Sequence, residues 1–212
     1  MDINKIVKAV KEAKEKSKKR NFVQSIDLAV TLNLDTTKPE NRINDEIVLP
    51  HGRGKPIKIG VIGEGELAHQ AKSLADIVIT KKELEELAKD KRKAKEIAKA
   101  YDFFIAQADL MPLVGKYLGI ILGPRGKMPK PVPPTADIKP IIERLRKTVR
   151  VRTKDKPVFH VPVGTEKMKE EEVAKNIEAI FNYLERKLER GLSDVKSAYI
   201  STTMGKSVKL EV

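Results

Sequence analysis

Residues 23–33 read VQSIDLAVTLN, with Ile26, Leu28, Val30 and Leu32 on one face and Ser25, Asp27, Ala29, Thr31 and Asn33 on the other. A period of two is the pattern of a strand half buried in a sheet. Such a strand needs backbone partners and a cover for its apolar side. Residues 2–20 place Ile3, Ile6, Val7, Val10 and Ala13 at helical spacing, with Lys8, Lys11, Lys18, Lys19 and Arg20 mostly off that stripe, which predicts an amphipathic helix. After the strand, the polar loop TTKPENRINDE leads to a short strand, EIVLP, and HGRGKP then breaks any regular element.

The last third of the chain holds further strands. TVRVRT and VFHVPV read as two strands around the turn KDKP. A long helix carries Val173, Ile177, Ile180, Phe181, Leu184 and Leu188, and the chain ends in SAYISTT and SVKLEV, where Val208, Leu210 and Val212 alternate. Between the early and late strands the pattern changes. PIKIGVIG, DIVIT and YDFFIAQ are apolar strands separated by a helix marked by Leu67, Ala68, Ala71 and Leu74 and by one charged helix, KKELEELAKDKRKAKEIAKA. An apolar helix follows from about Met111 to Leu118, and the proline-rich GPRGKMPKPVPP interrupts before the helix DIKPIIERLRK, whose first turn tolerates Pro140. Alternating strands and helices predict βαβ units and a mainly parallel sheet that covers itself. The first strand is therefore expected to pair with the late ones. The fold class is α/β and α+β in two domains: 1–52 joined to 149–212, with 53–148 inserted.

Composition narrows the function. The 212 residues are 40% apolar and 34% charged, with no apolar run that approaches a membrane span. Zero cysteine removes disulfides, thiolate metal sites and cysteine nucleophiles, and the charged N-terminus is unlike a signal peptide, so a cytosolic chain is expected. Forty-three basic against 30 acidic residues, a net charge of +13, favour a polyanion, and nucleic acid over membrane.

Enzymatic signals are thin. GVIGEGELA sets Gly60, Gly63 and Gly65 as G-x-x-G-x-G rather than the dinucleotide fingerprint, and Asp76 comes too early for the ribose carboxylate. GPRGKMPK offers Arg125, Lys127 and Lys130 without the Walker spacing. His51, His69 and His160 are far apart, with no metal-ligand spacing, and no G-x-S-x-G elbow occurs. No catalytic residue, metal or cofactor is expected, although an enzyme using a nucleotide or phosphate in the inserted domain is the alternative. The more informative pattern is the polar face of two strands: Ser25, Asp27, Ala29 and Thr31 on one, Ser197, Tyr199, Ser201 and Thr203 on the other. Short hydroxyl side chains let a ribose-phosphate backbone lie close and exchange hydrogen bonds with 2′-hydroxyls. Arg150, Arg152, Lys154 and Lys156 would flank it, and Phe22 is the conspicuous aromatic at the strand's edge.

Five ordered segments resemble the "L one" family of large-subunit ribosomal proteins, which form the mobile stalk. These are NFVQSIDLAVTLNLD, IVLPHGRGK, KYLGIILGPRGKMPKP, FHVPVG and the terminal SAYISTTMGKSVKLEV, in which Thr203, Met204 and Gly205 match the family's Thr-Met-Gly signature. Two departures stand out: TKDKP follows Arg152 where the family often has N-D-K-T, and Lys206 rather than proline follows Gly205. The resemblance implies an open antiparallel sheet with helices built from both chain ends, plus an inserted Rossmann-like domain without a nucleotide. It implies an RNA-contact core of Phe22, Thr203, Met204 and Gly205, with Ser25 and Asp27 on the same strand face and Lys154 and Lys156 beside them; Arg152 and Ser201 join the expected RNA contacts from the strand pattern and charge above. By its chemistry Thr203 can bond a ribose or base, Met204 can pack on one, and Gly205 leaves room for the RNA backbone. The implied partners are large-subunit ribosomal RNA, exit-site transfer RNA, whose release the protein would assist, and the chain's own messenger RNA, which it would repress. Away from the cytoplasmic ribosome a monomer is expected. The lysine-rich composition resembles archaeal members.

Overall fold

The structure is a computed structural model that describes residues 2–36, 38 and 41–211. Its contacts divide the chain into two compact units, residues 1–55 with 147–212, and residues 56–146. These boundaries differ by a few residues from 53–148, because Gly54 lies against Thr165 and Met168 of the first unit and Thr148 already pairs with Val48.

The first unit contains α1 (Ile3–Glu15), β1 (Ser25–Leu32) and β2 (Asn44–Val48), followed after the insertion by β7 (Thr148–Arg152), β8 (Val158–Thr165), α7 (Glu170–Lys187), β9 (Val195–Thr202) and β10 (Val208–Leu210). Its main sheet has the order β10-β9-β1-β8, and β1 is antiparallel to both neighbours. The alternation predicted for β1 is observed: Ile26, Leu28, Val30 and Leu32 are buried and the intervening residues are half exposed. Full burial of such side chains contributes roughly 1.5–3 kcal/mol each. They share one core with Ile6, Val10 and Ala13 of α1 and Ile177, Ile180, Phe181 and Leu184 of α7. Ile3, assigned to the same stripe by spacing, is 39% exposed because the helix begins there. The terminal strand covers Val208 and Leu210, and Val212 lies outside the described residues.

TVRVRT and VFHVPV do not pair with each other: β7 joins β2 in a separate two-stranded ribbon, while β8 flanks β1. The ribbon adds Ile47, Val149 and Val151 to the core. Arg150 pairs with Glu46 at 3.0 Å, and Asp45 accepts from the Tyr183 hydroxyl and sits 3.2 Å from Lys187 Nζ. Buried Asn176 of α7 donates to Gly52 O (2.7 Å) and Val163 O (2.8 Å) and accepts from the His51 N–H (3.1 Å). All three groups of this amide are satisfied, which makes its complete burial tolerable.

The second unit contains β3 (Ile59–Ile62), α2 (Gly65–Leu74), β4 (Ile77–Ile79), α3 (Lys81–Lys89), α4 (Lys91–Ala100), β5 (Phe103–Gln107), α5 (Met111–Leu122), β6 (Lys130–Val132) and α6 (Lys139–Arg146). The sheet is parallel, in the order β4-β3-β5-β6. Helices cover both faces, α3, α4 and α5 on one and α2 and α6 on the other, so β3 is apolar throughout. The charged segment 81–100 is two helices and not one. Asp90 ends α3 and caps α4, accepting from the Arg92 and Lys93 N–H groups. A strand also lies inside the proline-rich stretch, where Pro131 is tolerated because β6 is at the sheet's edge. Among the described residues no helix is long and apolar enough to cross a membrane.

The hydrogen bond from Tyr183 above all, and then Lys187, hold the Asp45 carboxyl below its ordinary 3.8. A carboxylate depressed in the folded state adds stability above its unfolded pKa and loses it as pH falls through the folded one. Asp45→Asn is therefore expected to lower the unfolding midpoint at pH 7 and flatten its fall below about pH 4, as measured by thermal unfolding across pH 2–7.

Candidate nucleic-acid interface

The side of the first unit's sheet turned away from α1 and α7 carries the residues that alternate with the core. One row across it is Lys209, Tyr199, Ala29 and His160; a second is Ser201, Asp27 and Pro162; a third is Ser197, Thr31 and Val158. In the middle of the sheet the short side chains of Asp27, Ala29 and Ser201 leave the face low, while Tyr199 is 37% exposed. Asp27 is the one carboxylate of β1. Partial burial pushes its carboxyl up, against the positive fields of Lys55 and His160.

At one end of β1 the chain closes on itself. The Thr203 N–H donates to Ser25 O at 3.0 Å, and the Ser25 N–H donates to Thr203 Oγ1, also at 3.0 Å. The same hydroxyl approaches Ser25 O at 3.3 Å as a donor. A hydroxyl has one proton and two lone pairs, so Thr203 retains a single lone pair for an outside donor. The Met204 N–H donates to Gln24 Oε1 (3.2 Å) and leaves its thioether 57% exposed. The Gly205 N–H donates to Thr202 O at 3.1 Å. A Cβ on Gly205 would stand 2.1 Å from Thr202 Oγ1 and 3.4 Å from Ser17 Cβ, and that Thr202 hydroxyl is itself bonded to Ser17 Oγ at 2.9 Å. The missing side chain thus faces inward. The position is therefore closed to a side chain by the packing of the loop itself, whatever approaches its outer side.

Phe22 lies half exposed just ahead of β1. Ser25, Asp27, Ser201, Thr203, Met204 and Gly205 are brought together with it around the first half of β1. Arg152, Lys154 and Lys156 are not members of that cluster. They surround a shallow cavity with Val158 and His160 at the other end, where Val158 pairs with Thr31. The distance from Ser25 to Thr31 along the strand is about 20 Å at roughly 3.4 Å per residue. Thr36 donates to Asp155 O (2.6 Å) and buried Thr153 accepts from the Ile43 N–H (2.8 Å), so the loop carrying both lysines is anchored. Sequence reasoning missed Gln24 and Ser17, whose polar side chains brace the loop from inside. Their only sequence signal is position, beside the first strand and at the end of the first helix.

The chain matches the sequence model described as the ribosomal protein L1p/L10e family over residues 10–206, a span that includes β1, both ends of the insertion and the Thr-Met-Gly loop. It belongs to that family. Among its relatives, the large ribosomal subunit protein uL1 of Methanocaldococcus jannaschii is 59% identical, covering 100% of this chain and 97% of that protein. The uL1 proteins of Methanothermococcus thermolithotrophicus and Pyrococcus horikoshii are 58% and 56% identical, covering 100% and 99% of the chain and 100% and 97% of those proteins. The L1p/L10e family is one of ribosomal proteins and not of enzymes, and of the three glycines in and just after β3, Gly60 and Gly63 are packing positions while Gly65 takes a positive φ of 62°. A Cβ on Gly60 would meet the Phe104 ring at 2.8 Å, and one on Gly63 would meet Leu67 at 2.5 Å. In the basic loop, Lys127 bonds Ala98 O (2.9 Å) and Tyr101 O (2.6 Å) at the end of α4, and Arg125 bonds Ile121 O (3.1 Å). These cations cap helices. Among the described residues no group of three His, Asp or Glu is placed to hold a metal ion.

Two outcomes follow from this packing. Gly205→Ala must displace a buried hydroxyl, so its thermal midpoint is expected to fall clearly below that of Lys206→Ala at the neighbouring exposed position. Asp27→Asn removes a carboxylate that burial disfavours in its charged form. Because the folded pKa is raised, the penalty exists above that pKa and vanishes below the unfolded one. The variant is therefore expected to be the more stable protein at pH 7 and to lose that advantage near pH 3 in parallel denaturant titrations.

Proposed function

We propose that the unit built from both chain ends binds the stalk region of large-subunit ribosomal RNA through the face of β1 and β9, and that residues 56–146 form an inserted Rossmann-like domain holding no nucleotide. The relatives are named as large ribosomal subunit proteins, and the chain is accordingly read as a non-enzymatic component of the large subunit of the cytoplasmic ribosome. The observation that carries the reading is the exposed Thr203–Met204 pair locked onto Ser25 beside a low, polar sheet face.

Each group has a defined role. The free lone pair of Thr203 accepts from a 2′-hydroxyl or a base N–H, the Met204 thioether packs on a sugar or base face, and Phe22 offers a ring for stacking. Asp27, acceptor-only when ionised, takes a second donor, since no phosphate would be welcome there. Lys154 and Lys156 at the far end meet backbone phosphates. Charge alone would choose otherwise. The two terminal segments, 1–52 and 149–212, together have 23 basic and 18 acidic residues, a net +5, whereas 53–148 has 20 and 12, a net +8. Geometry rather than summed charge directs the RNA to the first unit. A messenger RNA presenting the same shape would compete for this face, which is the proposed route to repression of the chain's own translation, and exit-site transfer RNA is the third proposed partner.

Filter binding over a salt series tests this with a stalk-region transcript and a scrambled duplex of equal length. Thr203→Ala is expected to weaken stalk binding tenfold or more, since loss of a buried hydrogen bond costs on the order of 1–3 kcal/mol. Lys154→Ala is expected to weaken both RNAs alike and make the salt slope shallower by about 0.7–0.9. A folded chain in which a short linker replaces 56–146 should keep the preference for the stalk transcript. Wild-type affinity in Thr203→Ala, or loss of preference in the shortened chain, would overturn the assignment.

A further inference from the structure

Gln24 is 1% exposed, yet it is a polar residue on the threshold of the proposed RNA face. Its amide is fully committed. Oε1 accepts the Met204 N–H at 3.2 Å, while Nε2 donates to Ser17 Oγ and Lys18 O, both at 3.0 Å, and approaches Glu166 Oε2 at 3.4 Å. Ser17 in turn shares a hydrogen bond with Thr202 Oγ1 at 2.9 Å. One side chain therefore joins the Thr-Met-Gly loop to the turn that leaves α1. That turn carries Lys18, Lys19 and Arg20, all exposed, along a polar cavity of about 400 Å³ that also reaches Glu166 and Thr202. No ion pair ties these three cations down among the described residues.

We propose that Lys18, Lys19 and Arg20 form a second RNA contact, one for backbone phosphates, and that Gln24 is the positioning residue holding this basic turn at a fixed spacing from the Thr203–Gly205 loop. The proposal rests on the RNA-binding reading above. The physical reason is geometric. Lysine and arginine on a free turn would attract any polyanion at any distance, but cations set at one spacing from a hydrogen-bonding loop favour an RNA whose phosphates and 2′-hydroxyls stand at that spacing. Gln24 has the donor and acceptor needed to hold both sides at once. A carboxylate there would lack the donor, and an aliphatic residue would lack both.

A double-mutant cycle separates positioning from stability. The variants are Gln24→Leu, the triple change Lys18→Ala, Lys19→Ala and Arg20→Ala, and the two combined, with Ser17→Ala as a milder break of the same brace. All are assayed for binding to the stalk-region transcript and the scrambled duplex, at a temperature where circular dichroism shows each folded. The triple change is expected to weaken both RNAs and make the salt slope shallower. Gln24→Leu is expected to lose at least tenfold on the stalk transcript while its duplex affinity and duplex salt slope stay at wild type, a pattern that lowered stability alone does not produce. In the Gln24→Leu background the triple change should cost less on the stalk transcript than it does in the wild type. Additive effects overturn the coupling, and an unchanged salt slope in the triple variant overturns the phosphate contact. If Gln24→Leu does not fold, Ser17→Ala carries the same comparison, and wild-type discrimination in that variant overturns the positioning role. Failure of the wild-type protein to prefer the stalk transcript would instead sink the RNA-binding reading itself.

Discussion

The backbone of β1 has neighbours on both sides, and both come from the far end of the chain. Residues 25–31 bond to 158–165 on one edge, and 26–32 bond to 195–202 on the other. An unpaired buried N–H or C=O costs about as much as a lost hydrogen bond, so β1 has no stable place until both late strands are present. Everything else in the first unit follows from this arrangement. Helices α1 and α7 cover one side of the sheet because that is where Ile26, Leu28 and Val30 point, and the opposite side is left to small polar residues. The insertion is tolerated because its two ends come back to one place, where the Leu49 N–H donates to Lys147 O at 2.9 Å.

The polar side divides its labour along the strand. The tightest closure is where Thr203 and Ser25 exchange hydrogen bonds, and positive charge is kept at the extremities, in Lys154 and Lys156 at one end and Lys18 to Arg20 at the other. Between them lies Asp27, a carboxylate whose ionised form burial disfavours. Long cations in the middle would raise this face; serine, alanine and aspartate leave it low, as the proposed RNA contact requires.

Much of this was legible in the residues. The period of two at 25–32 showed the strand and its buried side, and the order of the late strands showed where its partners had to be. Other features were hidden for identifiable reasons. The break at Asp90 sits in a run whose charges keep helical spacing on both sides, so only the cap reveals it. β6 contains a proline, which demotes a strand when the sequence cannot say that it lies at an edge. The two groups of candidate contacts, around Thr203 and around Lys154, looked like one set because sequence carries no distance. The inward conflict at Gly205 was hidden because a glycine records only the absence of a side chain, not what a side chain would have met. Gln24 resembled any polar residue before a strand until the loop and the helix end closed over it.

The interleaving of the two units also sets a schedule. Residues 56–146 are contiguous, with a parallel sheet and both helical layers drawn from one stretch, so this unit can close while the chain is still being made. β1 is synthesised earlier but must wait for residues 195–202. At about 5–20 residues per second that interval is roughly 10–30 s. Throughout it a strand with Ile26, Leu28, Val30 and Leu32 along one side stands without partners, beside a neighbour that is already finished. The strand left longest without partners in the newborn protein is thus the central pairing strand of the mature sheet, and its alternating Ser25, Asp27 and Thr31 keep half of it soluble in the meantime.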